Sequence, residues 1–266
     1  MIKFGSNAYL CRMPRYFIQL AYNGTNFNGW QVQDNTSSTI QQVLQEKLSM
    51  ILGQKIEVVG CGRTDAGVHA KEYYAHFDCE LQDLQNSDST HVFKLNKVLP
   101  KDIAVKKIFL VKDNANARFD AKSRTYEYFI HRAKNPFKHE TSLYVFGHLN
   151  IALMNQAAAY LLTVTDFTSF SKLNTQTFTN NCDVTFAQWI KINENEYVFK
   201  ITADRFLRNM VRAIVGTLLE VGKEKITVEE FKTIVNNKNR SDAGMSAPGH
   251  ALYLSHIQYQ NSIFSE

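Results

Sequence analysis

A single carboxylate in this sequence stands in a glycine-flanked segment whose residue types could do chemistry. Asp65 lies two residues after Arg63 and four before His69, in the segment Cys61-Gly-Arg-Thr-Asp-Ala-Gly-Val-His69. An Asp held near an Arg stays ionised, which suits a nucleophile or a base. Asp-Ala-Gly is also ordinary turn chemistry, because the carboxylate accepts local backbone hydrogen bonds. Local sequence alone favours the turn, and a lone carboxylate argues against the paired acids of most glycosidases.

A row of arginines near residue 210 is the second candidate. We predict a helix over residues 206–221, and at about 100° per residue it places Arg205, Arg208 and Arg212 within one narrow arc. Three guanidinium groups on one face could bind phosphate or pair with a carboxylate. Periodicity alone favours a simpler interpretation, the solvated face of an amphipathic helix. Gly216 projects beside this arc, where the missing side chain would let something approach the backbone.

Aromatic side chains form the third candidate group. Tyr126 and Tyr128 share one face of a predicted strand that directly follows Lys122 and Arg124. Basic residues interleaved with aromatic ones suit stacking on nucleic-acid bases. A Tyr pair on a strand is nonetheless more often a sign of sheet packing.

Composition and charge exclude several classes of protein. The 266 residues carry 30 Lys and Arg against 25 Asp and Glu, and the resulting charge of +5 suits an anionic partner without proving one. The four cysteines are scattered without metal-ligand spacing, so we expect free thiols and no metal site. No glycine-rich nucleotide loop occurs. Because the chain has neither a signal-peptide pattern nor a long apolar run, we expect a soluble cytoplasmic protein without membrane contact.

The elements that must position these residues alternate in two similar halves. The order strand, helix, strand, strand, helix, strand predicts an α+β fold with antiparallel sheets. We predict a tail over residues 1–14, an N-terminal α+β domain over 15–115 and a C-terminal α+β domain over 116–266. We predict one helix that ends near residue 52, a second over 88–98 and a third that begins with a capping box at Thr227. We also predict strands over 56–59, 73–78 and 103–111.

The segment around Asp65 resembles the signature loop of the TruA family of tRNA pseudouridine synthases. Further segments match that family in the same order, between about Arg15 and Tyr259. They are Phe27-x-Gly29-Trp30-Gln31, Leu95-Asn96, Leu99-Pro-x-Asp102-Ile-Ala-Val105, Ala117-Arg118-Phe119, Asp166-Phe-Thr-Ser-Phe170, Phe206-Leu-x-x-Met210-Val-Arg212-x-Ile-Val-Gly216 and Ala247-Pro248. The sequence departs from the family pattern at Glu72, Tyr73 and Ala251.

The resemblance implies a reaction, a fold and a set of site residues. It implies an enzyme that isomerises uridine to pseudouridine at positions 38, 39 and 40 of the tRNA anticodon stem-loop, without a cofactor or a metal. The family's catalytic Asp corresponds to Asp65, its active-site Tyr to Tyr126, and the basic residue that pairs with the Asp to Arg212. It also implies two α+β halves that form a central cleft, and a homodimer that binds tRNA across both subunits.

Several alternatives stay open at this point. Arg63, Arg205 and Arg208 are candidate RNA contacts, although the last two could also form a solvated face. A non-catalytic RNA-binding module would use the same basic and aromatic side chains, but an Asp in its groove would repel phosphate. A nucleoside hydrolase would normally need a second acid or a metal. Within the synthase hypothesis, Asp65 could attack C1′ of the ribose or add to C6 of the base.

Overall fold

The computed structural model describes residues 13–36, 38–80, 84, 88–172 and 178–264, so most of the predicted tail over 1–14 lies outside the described residues. Within these ranges the strands are β1 (Arg15–Tyr22), β2 (Val59–Gly60), β3 (His69–Asp78), β4 (Ile103–Val111), β5 (Ala121–His131), β6 (Leu143–Tyr144), β7 (Val184–Asn193), β8 (Glu196–Ala203) and β9 (Leu252–Tyr259). The α-helices are α1 (Ile40–Leu52), α2 (Asp88–Val98), α3 (Ile151–Tyr160), α4 (Met210–Gly222) and α5 (Val228–Asn236).

Elements with strong local signals form where the sequence predicts them. Helix α2 and strand β4 have the predicted bounds. Thr39 caps α1, because its hydroxyl accepts a hydrogen bond from the Gln42 backbone N–H at 3.4 Å. The capping box of α5 is present: Thr227 Oγ1 accepts from the Glu230 N–H at 3.1 Å, and Glu230 Oε2 accepts from the Thr227 N–H at 2.7 Å.

The predicted strand over 56–59 is wrong in extent, because only Val59 and Gly60 pair with β3. The backbone before them is bonded to side chains of α1 instead of to a strand. Ser49 Oγ accepts from the Ile56 N–H at 2.9 Å, and Gln45 Oε1 accepts from the Val58 N–H at 3.0 Å. Polar side chains on a neighbouring helix thus satisfy backbone groups that a strand would have paired.

The helix that carries the arginine row starts later than the predicted residue 206. Asn209 adopts the left-handed conformation with φ 66°, which no residue inside a right-handed helix can have. Arg205 and Arg208 therefore lie in the connection between β8 and α4. The prediction that they share a helical arc with Arg212 is wrong.

One mixed sheet joins the two predicted halves. Its strand order is β4-β1-β3-β9-β5-β8-β7, with β2 added beside β3 and β6 beside β5. The α+β class is confirmed. Apart from the short parallel pairing of β6 with β5, the named strands within each half pair antiparallel, and a parallel pairing of β3 with β9 joins the halves. This pairing aligns His69 with Tyr253 and Ala70 with Leu254. The last strand of the chain therefore lies between the two halves, and the domain boundary between residues 115 and 116 stays a prediction.

Two hydrophobic cores lie along this sheet. One contains buried residues of α1, β1, β3 and β4, and the other contains buried residues of α3, α4, α5, β7 and β8. Tyr126 of β5 packs against both cores. Within the described ranges, no helix combines the length and the apolar character needed to cross a membrane.

Candidate active site

The loop over residues 61–68, called here the Asp65 loop, is held in place by the segment that follows β1. Gly29 has a φ of 88°, and a Cβ built on it would lie 2.5 Å from the Thr64 carbonyl oxygen. That oxygen accepts a hydrogen bond from the Trp30 N–H at 3.1 Å, and Thr64 Oγ1 lies 2.9 Å from Tyr22 Oη. The glycine is therefore required for the close approach that fixes the residue next to Asp65.

Asp65 forms an ion pair with Arg212 of α4. Asp65 Oδ2 and Arg212 Nη1 are 3.2 Å apart, and the two side chains are only 27% and 23% exposed. The guanidinium is also fixed from a second side, because Arg212 Nε donates to the Ala247 carbonyl oxygen at 2.7 Å. The Ala247 N–H in turn donates to the Arg212 carbonyl oxygen at 2.9 Å. The segment before β9 thus aims Arg212 at the carboxylate.

Gly216 allows this segment to lie against α4. A Cβ at Gly216 would be 1.8 Å from the Met245 carbonyl oxygen and 3.3 Å from the Ala247 nitrogen. The sequence predicted a close approach at Gly216, and the structure identifies the approaching backbone. The glycine acts on the site indirectly, through the Ala247 carbonyl that binds Arg212.

Tyr126 lies in the middle of a row of cross-strand neighbours on the covered face of the sheet. Leu254 of β9 and Ile201 of β8 are aligned with it on either side, and Ala70 of β3 continues the row beyond Leu254. All three neighbours are buried, whereas Tyr126 is partly exposed. Its ring meets the Phe206 ring edge-on, with centroids 5.0 Å apart. Tyr126 therefore lies where the two cores meet.

The surroundings of Tyr126 make its hydroxyl a weaker acid than a free phenol. Burial raises the pKa of Tyr126, the neighbouring Cys61 and Asp65 groups raise it further, and Arg124 opposes them. The phenol is consequently neutral at pH 7.

Arg124 is a site residue that sequence reasoning missed. Its guanidinium donates to the carbonyl oxygens of Cys61 at 3.1 Å, Arg118 at 2.6 Å and Asp204 at 2.8 Å. These carbonyls belong to the Asp65 loop, the loop before β5 and the connection before α4. Its position two residues before Tyr126 was the available signal, since a strand places both side chains on the same face.

The structure brings together Asp65 and Arg212, and Arg124, two residues before Tyr126 on β5, ties that strand to the Asp65 loop. The remaining predicted site residues are separate from this group. Arg63 and Arg208 have exposed side chains, and Arg205 is partly exposed. In the described part of the chain, no ion pair or side-chain hydrogen bond connects these three arginines to Asp65, Tyr126 or Arg212.

The arrangement provides an oriented carboxylate, a guanidinium beside it and a neutral aromatic hydroxyl where the two cores meet. Such a group can attack an electrophilic carbon and hold or move a proton. Among the residues that the structure describes, no three His, Cys, Asp or Glu side chains converge as a metal site.

Comparisons with known proteins identify the family. A family model described as tRNA pseudouridine synthase matches residues 18–120 and 157–260, which include Asp65 and Arg212. The chain is 52% identical over 258 residues to tRNA pseudouridine synthase A of Bacteroides thetaiotaomicron, covering 96% of this chain and 94% of that protein.

More distant relatives carry the same name. The protein of Porphyromonas gingivalis is 50% identical over 253 residues, covering 95% of this chain and all of that protein. The protein of Clostridium acetobutylicum is 41% identical over 249 residues, covering 93% of this chain and all of that protein. The match spans both halves of the sheet and the residues that form the ion pair, and the chain belongs to the tRNA pseudouridine synthase family.

Proposed function

We propose that this protein isomerises uridine to pseudouridine at positions 38, 39 and 40 of the tRNA anticodon stem-loop. The observation that carries the proposal is the Asp65–Arg212 ion pair beside Tyr126, in a chain of this family. The reaction breaks the N1–C1′ bond, turns the uracil and forms a C5–C1′ bond. C5 loses a proton and N1 gains one, so atoms and oxidation state are unchanged and no redox cofactor is required.

The target uridine must leave the RNA stack before any side chain can reach it. Flipping a base costs a few kcal/mol of unstacking, which contacts to the flipped nucleotide must offset. The partly exposed ring of Tyr126 offers a surface on which the uracil can stack. Because the ring rests on Phe206 and the sheet, it needs little ordering when the base arrives.

Asp65 supplies the carboxylate that attacks the nucleotide, at C1′ of the ribose or at C6 of the base. Arg212 orients the carboxylate through a charge-assisted hydrogen bond from Nη1 to Asp65 Oδ2. Its additional bond to the Ala247 carbonyl holds the guanidinium in place after Asp65 has reacted. The arginine can then stabilise negative charge that develops on the uracil.

Tyr126 removes the C5 proton after the new C–C bond has formed. Burial and the charge of Asp65 raise the pKa of its hydroxyl, so the phenol starts neutral. On the C1′ route the C5–C1′ bond forms as the Asp65–C1′ bond breaks, and the carboxylate is released. On the C6 route the Asp65–C6 bond breaks as C5 loses its proton. On both routes the C5 proton passes to the phenol oxygen and N1 gains a proton, so Asp65 ends as the free carboxylate.

Three further properties belong to the same proposal. Arg63, Arg205 and Arg208 contact phosphates of the RNA. The protein is a homodimer that binds the anticodon arm across both subunits. It acts in the cytoplasm, where its tRNA substrate is found.

Mapping of pseudouridine in defined transcripts tests the proposal. Unmodified anticodon stem-loops are prepared with uridine at only one of positions 38, 39 or 40, and a matched stem-loop carries cytidine at all three. We expect pseudouridine at each single uridine and none in the control. Free uracil would instead indicate a hydrolase, and tight binding without any product would indicate an RNA-binding protein.

A further inference from the structure

The loop between β4 and β5 presents an exposed aromatic ring. Phe119 is 76% exposed, and the guanidinium of Arg118 lies over its ring at 5.4 Å from the centroid. A single exposed phenylalanine is unremarkable by itself, since folded proteins expose much apolar surface. The backbone around this ring is, however, unusually well fixed for a surface loop.

Asn116 and Asp120 close the loop through hydrogen bonds. Asn116 Oδ1 accepts from the N–H groups of Arg118 at 2.9 Å and Phe119 at 3.2 Å. Asp120 Oδ2 accepts from the Asn116 N–H at 2.7 Å, and the Asp120 N–H donates to the Asn116 carbonyl at 3.0 Å. The turn that carries the ring is therefore restrained by four local bonds.

The same loop is anchored to the sheet at Ala117, which is buried. The Ala117 N–H donates to His76 Nδ1 at 3.1 Å, and the Tyr259 hydroxyl donates to the Ala117 carbonyl at 2.5 Å. His76 belongs to β3 and Tyr259 to β9. The sheet therefore fixes the position of the loop from two strands, on both sides of the junction between the halves.

Arg124 fixes this loop against the active site. A single nitrogen, Arg124 Nη2, donates both to the Arg118 carbonyl at 2.6 Å and to the Cys61 carbonyl at 3.1 Å. Cys61 begins the Asp65 loop, and exposed Arg63 follows two residues later. The Phe119 ring is thus displayed from a backbone that lies directly beside the loop carrying the reactive carboxylate.

From this arrangement we propose that Phe119 stacks on an unpaired base next to the target uridine while Arg118 binds an adjacent phosphate. The inference rests on the proposed function and adds the nucleotide contact that accompanies base flipping. When the uridine leaves the stack, a neighbouring base loses its partner, and an aromatic ring can replace that contact. Exposed Arg118, Lys122 and Arg63 provide positive charge around the ring for the RNA backbone.

A matched set of variants separates ring stacking from apolar bulk. Phe119→Leu keeps an apolar side chain and loses the ring, and we expect kcat/KM for the stem-loop to fall about tenfold, or about 1.4 kcal/mol. Phe119→Tyr keeps the ring and recovers most of this loss. The thermal midpoint should not change in either variant, because the side chain is exposed.

Phe93 provides the control position. Phe93 is 62% exposed on α2, and Lys97 Nζ lies over its ring at 5.3 Å from the centroid. It therefore forms a cation–aromatic pair like that of Arg118 and Phe119, on an element other than the Asp65 loop. Phe93→Leu should leave kcat/KM at the wild-type value. An equal loss in Phe93→Leu and Phe119→Leu would overturn the proposal, because the effect would then not depend on position.

Fluorescence gives a direct reading of stacking. Trp30 and Trp189 are the only tryptophans of the chain, and both are buried, so a tryptophan placed at position 119 by Phe119→Trp reports separately on that position. In an Asp65→Asn background, which prevents turnover, we expect the stem-loop to quench this signal strongly. Phe93→Trp in the same background should show no comparable quenching.

These results distinguish failure of the contact from failure of the reaction. An unchanged kcat/KM in Phe119→Leu, or the absence of quenching when the stem-loop is bound, would overturn the proposed contact while pseudouridine formation stands. Absence of pseudouridine with the wild-type protein would overturn the proposed function, and with it this inference.

Discussion

At the residue scale, the site depends on an ion pair whose two side chains are largely shielded from water. Asp65 and Arg212 face each other at 3.2 Å with about a quarter of each side chain exposed. An ion pair that is screened from water in this way interacts more strongly than one on the open surface. Arg212 is held by the Ala247 carbonyl as well, so its orientation does not depend on the carboxylate alone.

Substitutions of Tyr126 can separate stacking by its ring from proton removal by its hydroxyl. Phe at this position keeps the ring for stacking and removes the hydroxyl that we assign to deprotonation of C5. We expect Tyr126→Phe to lower kcat by at least about a hundredfold with little change in RNA affinity, the range of a lost acid–base group. Tyr126→Leu should lose affinity as well. Single-turnover rates and equilibrium binding measure the two effects.

The pH dependence of the wild-type rate also tests whether the Tyr126 hydroxyl is the base. Because burial raises the pKa of the Tyr126 hydroxyl, only a small fraction is ionised at pH 7, and that fraction increases as the pH rises. The rate of the chemical step should therefore increase between pH 7 and pH 9, by up to about tenfold per unit. A flat profile together with a fully active Tyr126→Phe would show that the hydroxyl is not the base.

At the element scale, α4 and the segment that crosses it form one unit. The segment around Met245 can approach only because Gly216 has no side chain. Its Ala247 carbonyl then binds Arg212, one turn before the glycine. The sequence predicted a helix here and a close approach at Gly216. It could not predict the start of the helix, because Asn209 turns left-handed and its side chain bonds to Ser246, which is distant in sequence.

Gly216→Ala tests whether α4 and this segment form one unit, because the two possibilities predict opposite changes in the free energy of unfolding. In the interior of a helix, Gly to Ala normally stabilises a protein by up to about 1 kcal/mol. Here the added methyl would lie 1.8 Å from a backbone carbonyl oxygen, so we expect a loss of about 1–3 kcal/mol instead. The displaced Ala247 carbonyl should also misplace Arg212 and reduce kcat. Urea unfolding and single-turnover rates measure both effects.

Glu220→Ala on the same helix is the control for Gly216→Ala. Glu220 is only partly buried and pairs with Lys225 at 3.3 Å at the surface. Its removal should change stability by less than about 0.5 kcal/mol and leave kcat unaltered. Higher stability of Gly216→Ala with normal kcat would contradict the proposed role of the crossing segment.

At the scale of the whole molecule, the sheet brings together residues that are far apart in sequence. Asp65 comes from the loop before β3, Tyr126 from β5 and Arg212 from the helix after β8. Their proximity depends on β9, which pairs with both β3 and β5. The site therefore forms only when the end of the chain has joined the two halves.

This dependence explains how much could be predicted from sequence. Residues with local signals, such as Thr227 and Glu230 of the capping box, were predicted together with their helix. The parallel pairing of β3 with β9 could not be predicted, because it joins His69 to Tyr253 across most of the chain. Asp65, Tyr126 and Arg212 were assigned through family resemblance. Arg124 was missed: its position before Tyr126 indicates the face of the strand that it shares, but its partners are backbone carbonyls distant in sequence.

The most direct test of the account is the release of tritium from tRNA labelled at C5 of uridine, measured with the wild-type protein and with Asp65→Asn. Asn keeps the size of the side chain and removes the carboxylate, so the variant should fold and bind tRNA. The account predicts tritium release by the wild type and none by Asp65→Asn. Release at the ordinary rate by the variant would contradict it, because the isomerisation would then proceed without the carboxylate that the whole fold positions.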